Sequence, residues 1–334
     1  MKISIVGSGG WGTALSLLLL ENKHDVTLCS YFEKETETMR RTGKNPYLTG
    51  VALPDNLKLT ADLNCAVAEA EAVVLATPSF AVRETAIKLK PLLEKGTLLI
   101  SVAKGIERES LLLMTQVIEQ EIGPGYPIAA LSGPSHAEEV GRGVPTAVVS
   151  ACRDINIADR VQELFMNGRF RVYSSDDIIG VELGAALKNV IALGAGCCDG
   201  MGYGDNTRAM LITRGLAEIA RVGTVMGGKK ETFAGLAGMG DLIVTCTSEH
   251  SRNRRAGLFI GRGMGAQEAM KQVGSVVEGY YAAAAGVELL KRYGVEMPIT
   301  EATYNVLYKN APISEVFTSL MNRSEKREID ESWL

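Results

Sequence analysis

Residues 3–14 read ISIVGSGGWGTA, in which a short apolar run leads into a glycine-rich turn. The turn, Gly7-Ser8-Gly9-Gly10-Trp11-Gly12, fits the pattern GxGxxG. In this pattern Gly7 allows a tight turn, Gly9 lets the backbone approach a pyrophosphate, and Gly12 lets the helix pack closely on the strand. The start of the helix supplies amide donors to the phosphates. Because the motif lies between a predicted strand at 3–6 and a predicted helix at 13–22, it indicates a dinucleotide-binding turn.

Short apolar runs alternate with helical stretches over the first half of the chain. The predicted strands are 3–6, 26–29, 72–76, 97–102, 128–132 and 147–150. This alternation predicts an α/β fold with an N-terminal Rossmann-type, doubly wound parallel sheet. Long helical patterns follow at 177–196, 207–226, 231–245 and 279–292. We therefore predict a dinucleotide-binding domain over 1–180 and an all-helical substrate and catalytic domain over 181–330.

Composition excludes several classes of partner. The net charge of −4 over 334 residues carries no polyanion-binding signature, so no nucleic-acid partner is predicted. The six cysteines show no CxxC pair and no zinc spacing, so we predict no metal site and read them as thiols in a reducing cytosol. The apolar run 15–20 is too short to span a bilayer, and no signal peptide is recognised. We expect a soluble, cytoplasmic protein without membrane insertion.

Lys188 stands in an almost wholly apolar helical stretch, residues 181–196. Its ammonium must either reach solvent or face a pocket. Burial lowers the pKa of a lysine, and such a lysine can exchange protons near neutral pH. The alternative, a side chain whose stem lies on the core and whose head is in water, stays open from this stretch alone.

The residues after the second strand bear on the choice of coenzyme. An acid there binds the ribose 2′-hydroxyl of NAD, and an arginine binds the 2′-phosphate of NADP. The sequence CSYFEK at 29–34 has no acid at the expected point and no arginine after it. Glu33 is a candidate for the hydroxyl and Lys34 for the phosphate. NADH is slightly favoured over NADPH because Tyr31 and Phe32 offer stacking for adenine but no charge for phosphate.

Eight segments together resemble one family. They are Gly7–Ala14 (GSGGWGTA), Asn45–Leu48 (NPYL), Ser101–Glu107 (SVAKGIE), Leu131–Ala137 (LSGPSHA), Glu182–Asn189 (ELGAALKN), Gly235–Leu242 (GLAGMGDL), Ser251–Arg254 (SRNR) and Val276–Gly279 (VVEG). In this order and over nearly the whole chain, they resemble the bacterial NAD(P)-dependent sn-glycerol-3-phosphate dehydrogenases. The resemblance implies reversible reduction of dihydroxyacetone phosphate to sn-glycerol 3-phosphate for phospholipid synthesis, a Rossmann domain followed by a helical domain, and a homodimer.

The resemblance also implies roles for individual residues. Lys188 matches the proton acceptor. Substrate contacts fall at Lys104, Gly133, Ser135, Lys188, Asp241, Ser251, Arg252 and Asn253. Cofactor contacts fall at Gly10, Trp11, Tyr31, Phe32, Tyr47, Lys104, Ala137, Arg252, Val276 and Glu278. Family members often carry a basic pair where this chain has Tyr31-Phe32, which argues against a strong preference for NADPH. Trp11 either lies over the cofactor or packs under the turn.

The chemistry of a ketone reduction supports three catalytic candidates. The oxygen that becomes an alkoxide needs a proton donor, a role that suits the Lys188 ammonium. Lys104 follows the strand at 97–102, where open α/β sheets place their ligands. Asp241 follows three glycines and is expected either to bind a substrate hydroxyl or to orient Lys188. Thr245, one helical turn on, shares its face and is expected to assist.

The basic cluster SRNRR at 251–255 predicts a phosphate site. A guanidinium with flanking hydroxyl and amide donors suits a phosphate monoester, and Arg252 is our candidate. We interpret Arg254 and Arg255 as a solvated helix face. A different two-domain β-hydroxyacid or ketoacid dehydrogenase would not need this cluster. A non-catalytic dinucleotide sensor would not need Lys104, Lys188 and Asp241 together.

Overall fold

The computed structural model describes residues 1–325 and 327–328, and it divides the chain into two compact units. Unit 1 comprises Met1–Ala103 and Met114–Ile178; unit 2 comprises Lys104–Leu113 and the chain from Ile179 onward. The segment 104–113, which the sequence pattern places in the first domain, groups with unit 2. Residues 326, 329 and 330, the end of the predicted helical domain, lie outside the described residues.

Unit 1 is built on a sheet of eight strands among the residues described above, in the order β3-β2-β1-β4-β5-β6-β7-β8. The strands are β1 Lys2–Val6, β2 Asp25–Cys29, β3 Lys58–Thr60, β4 Ala72–Leu75, β5 Leu98–Ser101, β6 Ile128–Ser132, β7 Thr146–Ala151 and β8 Phe170–Ser175. The helices are α1 Gly10–Glu21, α2 Glu33–Thr42, α3 Leu63–Val67, α4 Val82–Leu89, α5 Met114–Ile122, α6 Ala137–Gly141 and α7 Ile155–Phe165. The predicted doubly wound α/β fold is confirmed.

One pair of strands departs from the predicted parallel arrangement, because β7 runs antiparallel to β6. The connection between them contains only the five-residue helix α6. Such a helix rises about 7.5 Å, too little to carry the chain back along a strand for a parallel crossover. The other adjacent pairs in this sheet are parallel.

Burial explains which strands the sequence pattern found. All four residues of β4 and of β5 are buried, and such strands read as continuous apolar runs. The two strands that the pattern missed, β3 and β8, lie at the ends of the sheet. In β8, Phe170 and Val172 are buried while Arg171 and Tyr173 are exposed, so the strand alternates instead of forming an apolar run.

From Ile179 onward the described residues of unit 2 form helices, as predicted, whereas its segment 104–113 is not helical and forms an isolated β-bridge between Ile106 and Leu113. Its helices are α8 Ile178–Gly200, α9 Asp205–Val225, α10 Lys230–Ala234, α11 Asp241–Thr247, α12 Arg252–Gly261, α13 Ala266–Val273, α14 Glu278–Tyr293, α15 Pro298–Lys309 and α16 Ile313–Met321. The single helix predicted over 231–245 is wrong. A π-helical turn at Leu236–Gly240 separates α10 from α11, and the three glycines between these helices, Gly235, Gly238 and Gly240, weaken regular α-helix.

Helix α8 is the core helix of unit 2. By length and composition it could cross a membrane, yet 89% of its most apolar window is buried inside the protein. Lys188 lies in the middle of this helix and is itself buried.

Candidate active site

Close packing brings helix α8 against the π-helical turn at Leu236–Gly240. A Cβ atom at Gly184 would lie only 2.8 Å from the carbonyl oxygen of Ala237, so a glycine is required at this approach. Lys188 lies one helical turn after Gly184 and therefore on the same face of α8. Asp241 directly follows the π-helical turn as the first residue of α11. The packing of α8 against the π-helical turn thus places Lys188 next to the Asp241 carboxylate.

The Asp241 carboxylate holds two lysines. The Lys188 ammonium donates to Asp241 Oδ1, and Lys104 Nζ donates to Asp241 Oδ2 at 2.8 Å. Lys188 Nζ also donates to the hydroxyl of Thr245 at 2.7 Å, and that hydroxyl donates to the backbone carbonyl of Asp241 at 2.5 Å. Lys188 and Asp241 are 5% and 1% exposed, which excludes the solvent-reaching alternative for Lys188. The structure therefore brings together the three catalytic candidates and Thr245.

Burial and neighbouring charge set the protonation of this cluster. Burial lowers the pKa of Lys188 to about 7, helped by the charge of Lys104 and opposed by the attraction of Asp241. Burial alone would raise the pKa of Asp241, but the charges of Lys104 and Lys188 hold it below its ordinary value. Near neutral pH, Lys188 can therefore gain or lose a proton while Asp241 stays ionised.

The basic cluster at 251–255 divides into residues with different environments. Arg254 is not solvated as the sequence suggested, because its Nε donates to a buried carboxylate, Asp199 Oδ2, at 2.7 Å. Arg255 is exposed and donates to the backbone carbonyl of Val273 at 3.2 Å. Arg252, the first residue of α12, is exposed, and the described part of the chain supplies no ion pair for it. Its guanidinium is thus available to an anion.

Asn253 ties the start of α12 to two other helices. Its Nδ2 donates to Asn189 Oδ1 at 2.9 Å, and its Oδ1 accepts from the backbone N–H of Gly279 at 2.8 Å. Because Asn189 follows Lys188 on α8, this bond places the start of α12 against the turn that carries the lysine. The Ser251 hydroxyl is also engaged, as it accepts from the backbone N–H of Arg254 at 3.2 Å and caps α12. Substrate contacts at Ser251 and Asn253 stay predictions.

The glycine-rich turn of unit 1 has the shape that a pyrophosphate requires. Gly7 has φ of +119°, and a Cβ there would lie 2.6 Å from the carbonyl oxygen of Ala76. A Cβ on Gly12 would lie 2.0 Å from Gly7 O, whereas one on Gly9 would meet nothing within 4 Å. Gly9 is the N-cap of α1 and has no side chain to satisfy the first amides of the helix. Open space and amide donors together fit a dinucleotide.

The other predicted cofactor residues divide between the two units. In unit 1, a Cβ on Gly10 would lie 2.5 Å from Tyr47 O and 3.5 Å from the Cβ of Ala137, so these three residues meet. Tyr31 and Phe32 are exposed, with ring centroids 5.1 Å apart. In unit 2, Val276 is half-buried just before α14, and Glu278 is the first residue of that helix.

Two of the predicted residues in unit 1 have environments that the sequence left open. Trp11 is half-buried and packs against the hydrophobic core of the unit, and its contact with the cofactor stays a prediction. Gly133 follows β6 with φ of +145°, and its carbonyl oxygen accepts from the Ser135 hydroxyl at 2.8 Å.

Comparison with known proteins agrees with this geometry. Residues 2–158 and 177–318 match the families described as NAD-dependent glycerol-3-phosphate dehydrogenase N-terminus and C-terminus. The chain is 52% identical over 331 residues to glycerol-3-phosphate dehydrogenase (NAD(P)+) of Moorella thermoacetica, covering 98% of each sequence. The chain is also 48% identical over 335 residues to glycerol-3-phosphate dehydrogenase (NAD(P)+) of Fusobacterium nucleatum, and the match covers 100% of each sequence. The crystal structure of glycerol-3-phosphate dehydrogenase from Coxiella burnetii has a TM-score of 0.93 at 39% identity, covering 96% of this chain and 99% of that one.

The chain belongs to the NAD-dependent glycerol-3-phosphate dehydrogenase family. Membership confirms the resemblance read from the eight segments, the assignment as an oxidoreductase and the NAD(P) cofactor. The alternative of a non-catalytic sensor is thereby excluded.

In this dehydrogenase two residues of unit 1 were missed by the sequence interpretation. Thr77 follows β4, and its buried hydroxyl finds no hydrogen-bond partner within the described residues, so a bound molecule could supply one. Glu35, in the first turn of α2, lies beside Ser30 at the end of β2. Glu33, the candidate named from the sequence for the ribose hydroxyl, pairs with Arg40 along α2. No local pattern singles out Glu35, because its contacts with Ser8 and Tyr47 come from distant segments.

Proposed function

We propose that this chain interconverts dihydroxyacetone phosphate and sn-glycerol 3-phosphate, and that Lys188 carries the proton. The named activity of the relatives supports the reaction. The observation that carries the proton role is the buried contact of Lys188 with Asp241, next to Lys104. Unit 1 binds NADH or NADPH through its glycine-rich turn, and unit 2 carries the proton chemistry.

The hydrogen bonds of Lys188 leave it one proton to use. When bound, the reduced nicotinamide supplies a hydride to the carbonyl carbon of the substrate. An ammonium has three N–H groups, and within the described residues Asp241 and Thr245 accept two of them. The third can be donated to the substrate oxygen that becomes the hydroxyl. In the reverse direction the neutral amine takes the same proton back, while Asp241 keeps the amine in place.

Arg252 binds the phosphate of the substrate. It is exposed, and its neighbour Asn253 is bonded to Asn189, the residue after Lys188. A planar guanidinium is suited to a phosphate monoester. Lys104 adds a second positive charge to stabilise the developing alkoxide. Gly133 and Ser135 are proposed as further substrate contacts, on the strength of the family resemblance.

Replacement of Lys188 tests the proton role. Lys188→Met keeps the apolar stem and removes the ammonium, so we expect kcat for dihydroxyacetone phosphate reduction to fall by about 10²–10⁴-fold. The Kd for NADH, measured by fluorescence titration, is expected to stay unchanged. Lys291→Met, at an exposed lysine paired with Glu288 on α14, is the matched control. Near-normal turnover in Lys188→Met would refute the assignment.

Replacement of Arg252 tests the phosphate site. Charge-assisted hydrogen bonds contribute about 1.5–3 kcal/mol, so Arg252→Ala is expected to raise KM for dihydroxyacetone phosphate roughly 10–100-fold. With dihydroxyacetone, which has no phosphate, the steady-state KM and kcat of Arg252→Ala should differ little from those of the unaltered chain. Arg255→Ala, at the exposed arginine on the same helix, is the control. An equal loss with both substrates would count against the role.

We further propose that the enzyme is a cytoplasmic homodimer that supplies glycerol phosphate for phospholipid synthesis. The six cysteines are free thiols, as suits a reducing compartment. The family resemblance supports the dimer and the pathway. Sedimentation equilibrium tests the dimer, and the mass of a single chain would contradict it.

A further inference from the structure

A carboxylate lies at the end of β2, although the sequence has no acid directly after that strand. The Ser30 hydroxyl, one residue beyond β2, donates to Glu35 Oε2 at 2.9 Å. The Ser8 hydroxyl, in the glycine-rich turn, is 2.9 Å from Ser30 Oγ and 3.3 Å from Glu35 Oε2. The Tyr47 hydroxyl donates to Glu35 Oε1 at 2.9 Å. Three hydroxyl groups from separate segments thus converge on one carboxylate.

The groups that hold Glu35 are themselves fixed. Ser8 and Ser30 are 6% and 1% exposed. Asn45, also buried, donates to the carbonyl oxygen of Ser8 at 2.8 Å. Glu35 is half-buried, whereas Glu37 on the same helix is exposed. The carboxylate therefore keeps its place beside the glycine-rich turn.

This is the point where dinucleotide folds distinguish their coenzymes. The residue at the end of the second strand hydrogen-bonds the ribose 2′-hydroxyl if acidic and accommodates a 2′-phosphate if it is arginine. Ser30 holds that position here, and the carboxylate reaches it from the first turn of α2. The exposed rings of Tyr31 and Phe32 directly follow Ser30 and offer a surface for adenine.

The neighbouring cations Lys88 and Arg40 have partners of their own, and Lys34 is exposed. Lys88 Nζ donates to Glu84 Oε1 at 2.6 Å and lies 3.2 Å from the Tyr31 hydroxyl. Arg40 donates to the carbonyl oxygen of Leu59 at 2.6 Å and pairs with Glu33. Lys34 is exposed to solvent, where salt screens its charge.

We propose that Glu35 is the specificity-determining residue that selects NADH over NADPH. Its carboxylate accepts a hydrogen bond from the ribose 2′-hydroxyl and repels a 2′-phosphate, which carries about −1.5 to −2 charge at neutral pH. The inference rests on the nucleotide-binding role proposed for unit 1.

Calorimetric titration of the full chain with NADH and with NADPH, without substrate, tests the proposal. The unaltered chain is expected to bind NADH at least about 10-fold more tightly. Glu35→Gln keeps the size of the side chain and removes its charge, so it should bring the two Kd values about 10-fold closer, mainly by tighter NADPH binding. Glu35→Arg replaces repulsion with attraction and should invert the preference. Glu37→Gln makes the same charge change at an exposed position of α2 and should leave the ratio unaltered.

Several results would overturn the proposal. One is equal or tighter binding of NADPH by the unaltered chain. Another is a Glu35→Gln variant that loses affinity for both nucleotides by the same factor, which would show that Glu35 only supports the turn. A change as large in Glu37→Gln would also overturn it. If neither nucleotide binds, the proposed function fails too. If the chain prefers NADH over NADPH as stated but does not reduce dihydroxyacetone phosphate, the proposed function alone fails.

Discussion

At the scale of single residues, the chemistry depends on opposing influences on one amine. Burial disfavours the ammonium form of Lys188, and the Asp241 carboxylate restores part of its stability. Replacing Asp241 by an apolar residue would leave the ammonium without an anion, at a cost of several kcal/mol. The carboxylate is therefore as necessary to the lysine as the apolar helix around it. The resulting pKa of about 7 gives the group both protonation states near neutrality.

The pH dependence of the two reaction directions should be opposite. Reduction needs the ammonium, so its kcat is expected to fall as pH rises through about 7; oxidation needs the neutral amine and should rise over the same range. Asp241→Asn removes the attraction that raises the pKa of Lys188, so both midpoints should move to lower pH by about one unit or more. The midpoints are measured from stopped-flow single-turnover rates of both directions, recorded as a function of pH.

The matched control for that experiment is Asp205→Asn, which removes an exposed carboxylate paired with Arg208 on α9. Its midpoints should equal those of the unaltered chain. Profiles of Asp241→Asn that coincide with those of the control would show that the carboxylate does not tune Lys188.

At the scale of elements, the contact between α8 and the π-helical turn places the reacting groups. Helix α8 brings Lys188, and the turn brings Asp241 at its end. The absence of a side chain at Gly184 sets how closely the two approach. Asn253 provides a second link, from α8 through Asn189 to α12.

A methyl group at this contact should impair catalysis. In Gly184→Ala the new Cβ would lie 2.8 Å from Ala237 O, so the turn must shift and carry Asp241 away from Lys188. A displacement of about 1 Å at reacting groups can cost up to about 10²-fold in rate. We expect kcat to fall by roughly 10-fold or more with a nearly unchanged KM for NADH, as measured by steady-state kinetics.

Gly194→Ala, on the same helix as Gly184, is the control. Its Cβ would lie 3.6 Å from atoms of Leu211 and Thr303, which is an ordinary van der Waals contact. Its kcat should be unchanged, and its free energy of unfolding should rise by up to about 1 kcal/mol because alanine favours helix. Similar kinetic losses in both variants would mean that the contact at Gly184 has no special part in catalysis.

At the scale of the whole molecule, burial separates the cysteines by reactivity. Of the six, Cys65 is exposed and the other five are buried. Burial raises the pKa of Cys197 and of Cys246 to about 12, so their reactive thiolate forms are scarce at neutral pH.

Titration with a chromogenic disulfide reagent should therefore find about one rapidly reacting thiol in the native chain and all six after unfolding in guanidinium. Cys65→Ser should remove the rapid phase. Rapid reaction of several thiols in the native protein would show that the buried cysteines are reached from solvent.

Local patterns were enough to predict the Rossmann-type unit. The turn at 7–12 and its flanking strand and helix are contiguous in the chain, so their residues carry the signal directly. Buried strands such as β4 read as apolar runs because both of their faces are covered. The interruption of 231–245 and the antiparallel β7 were not predicted, because packing and connection length decide them.

The sequence by itself determined the fold class, the family and the three catalytic candidates, since each is carried by the type and local order of residues. The tertiary structure decided how those candidates contact one another and how they shift one another's pKa values. Lys188 and Asp241 are 53 residues apart in the chain, and Lys104 and Asp241 are 137 apart, yet both lysines donate hydrogen bonds to the Asp241 carboxylate. Likewise Glu35 gained its place from Ser8 and Tyr47. A pKa and a coenzyme preference depend on burial and on the distances between charges, and only the folded chain sets these.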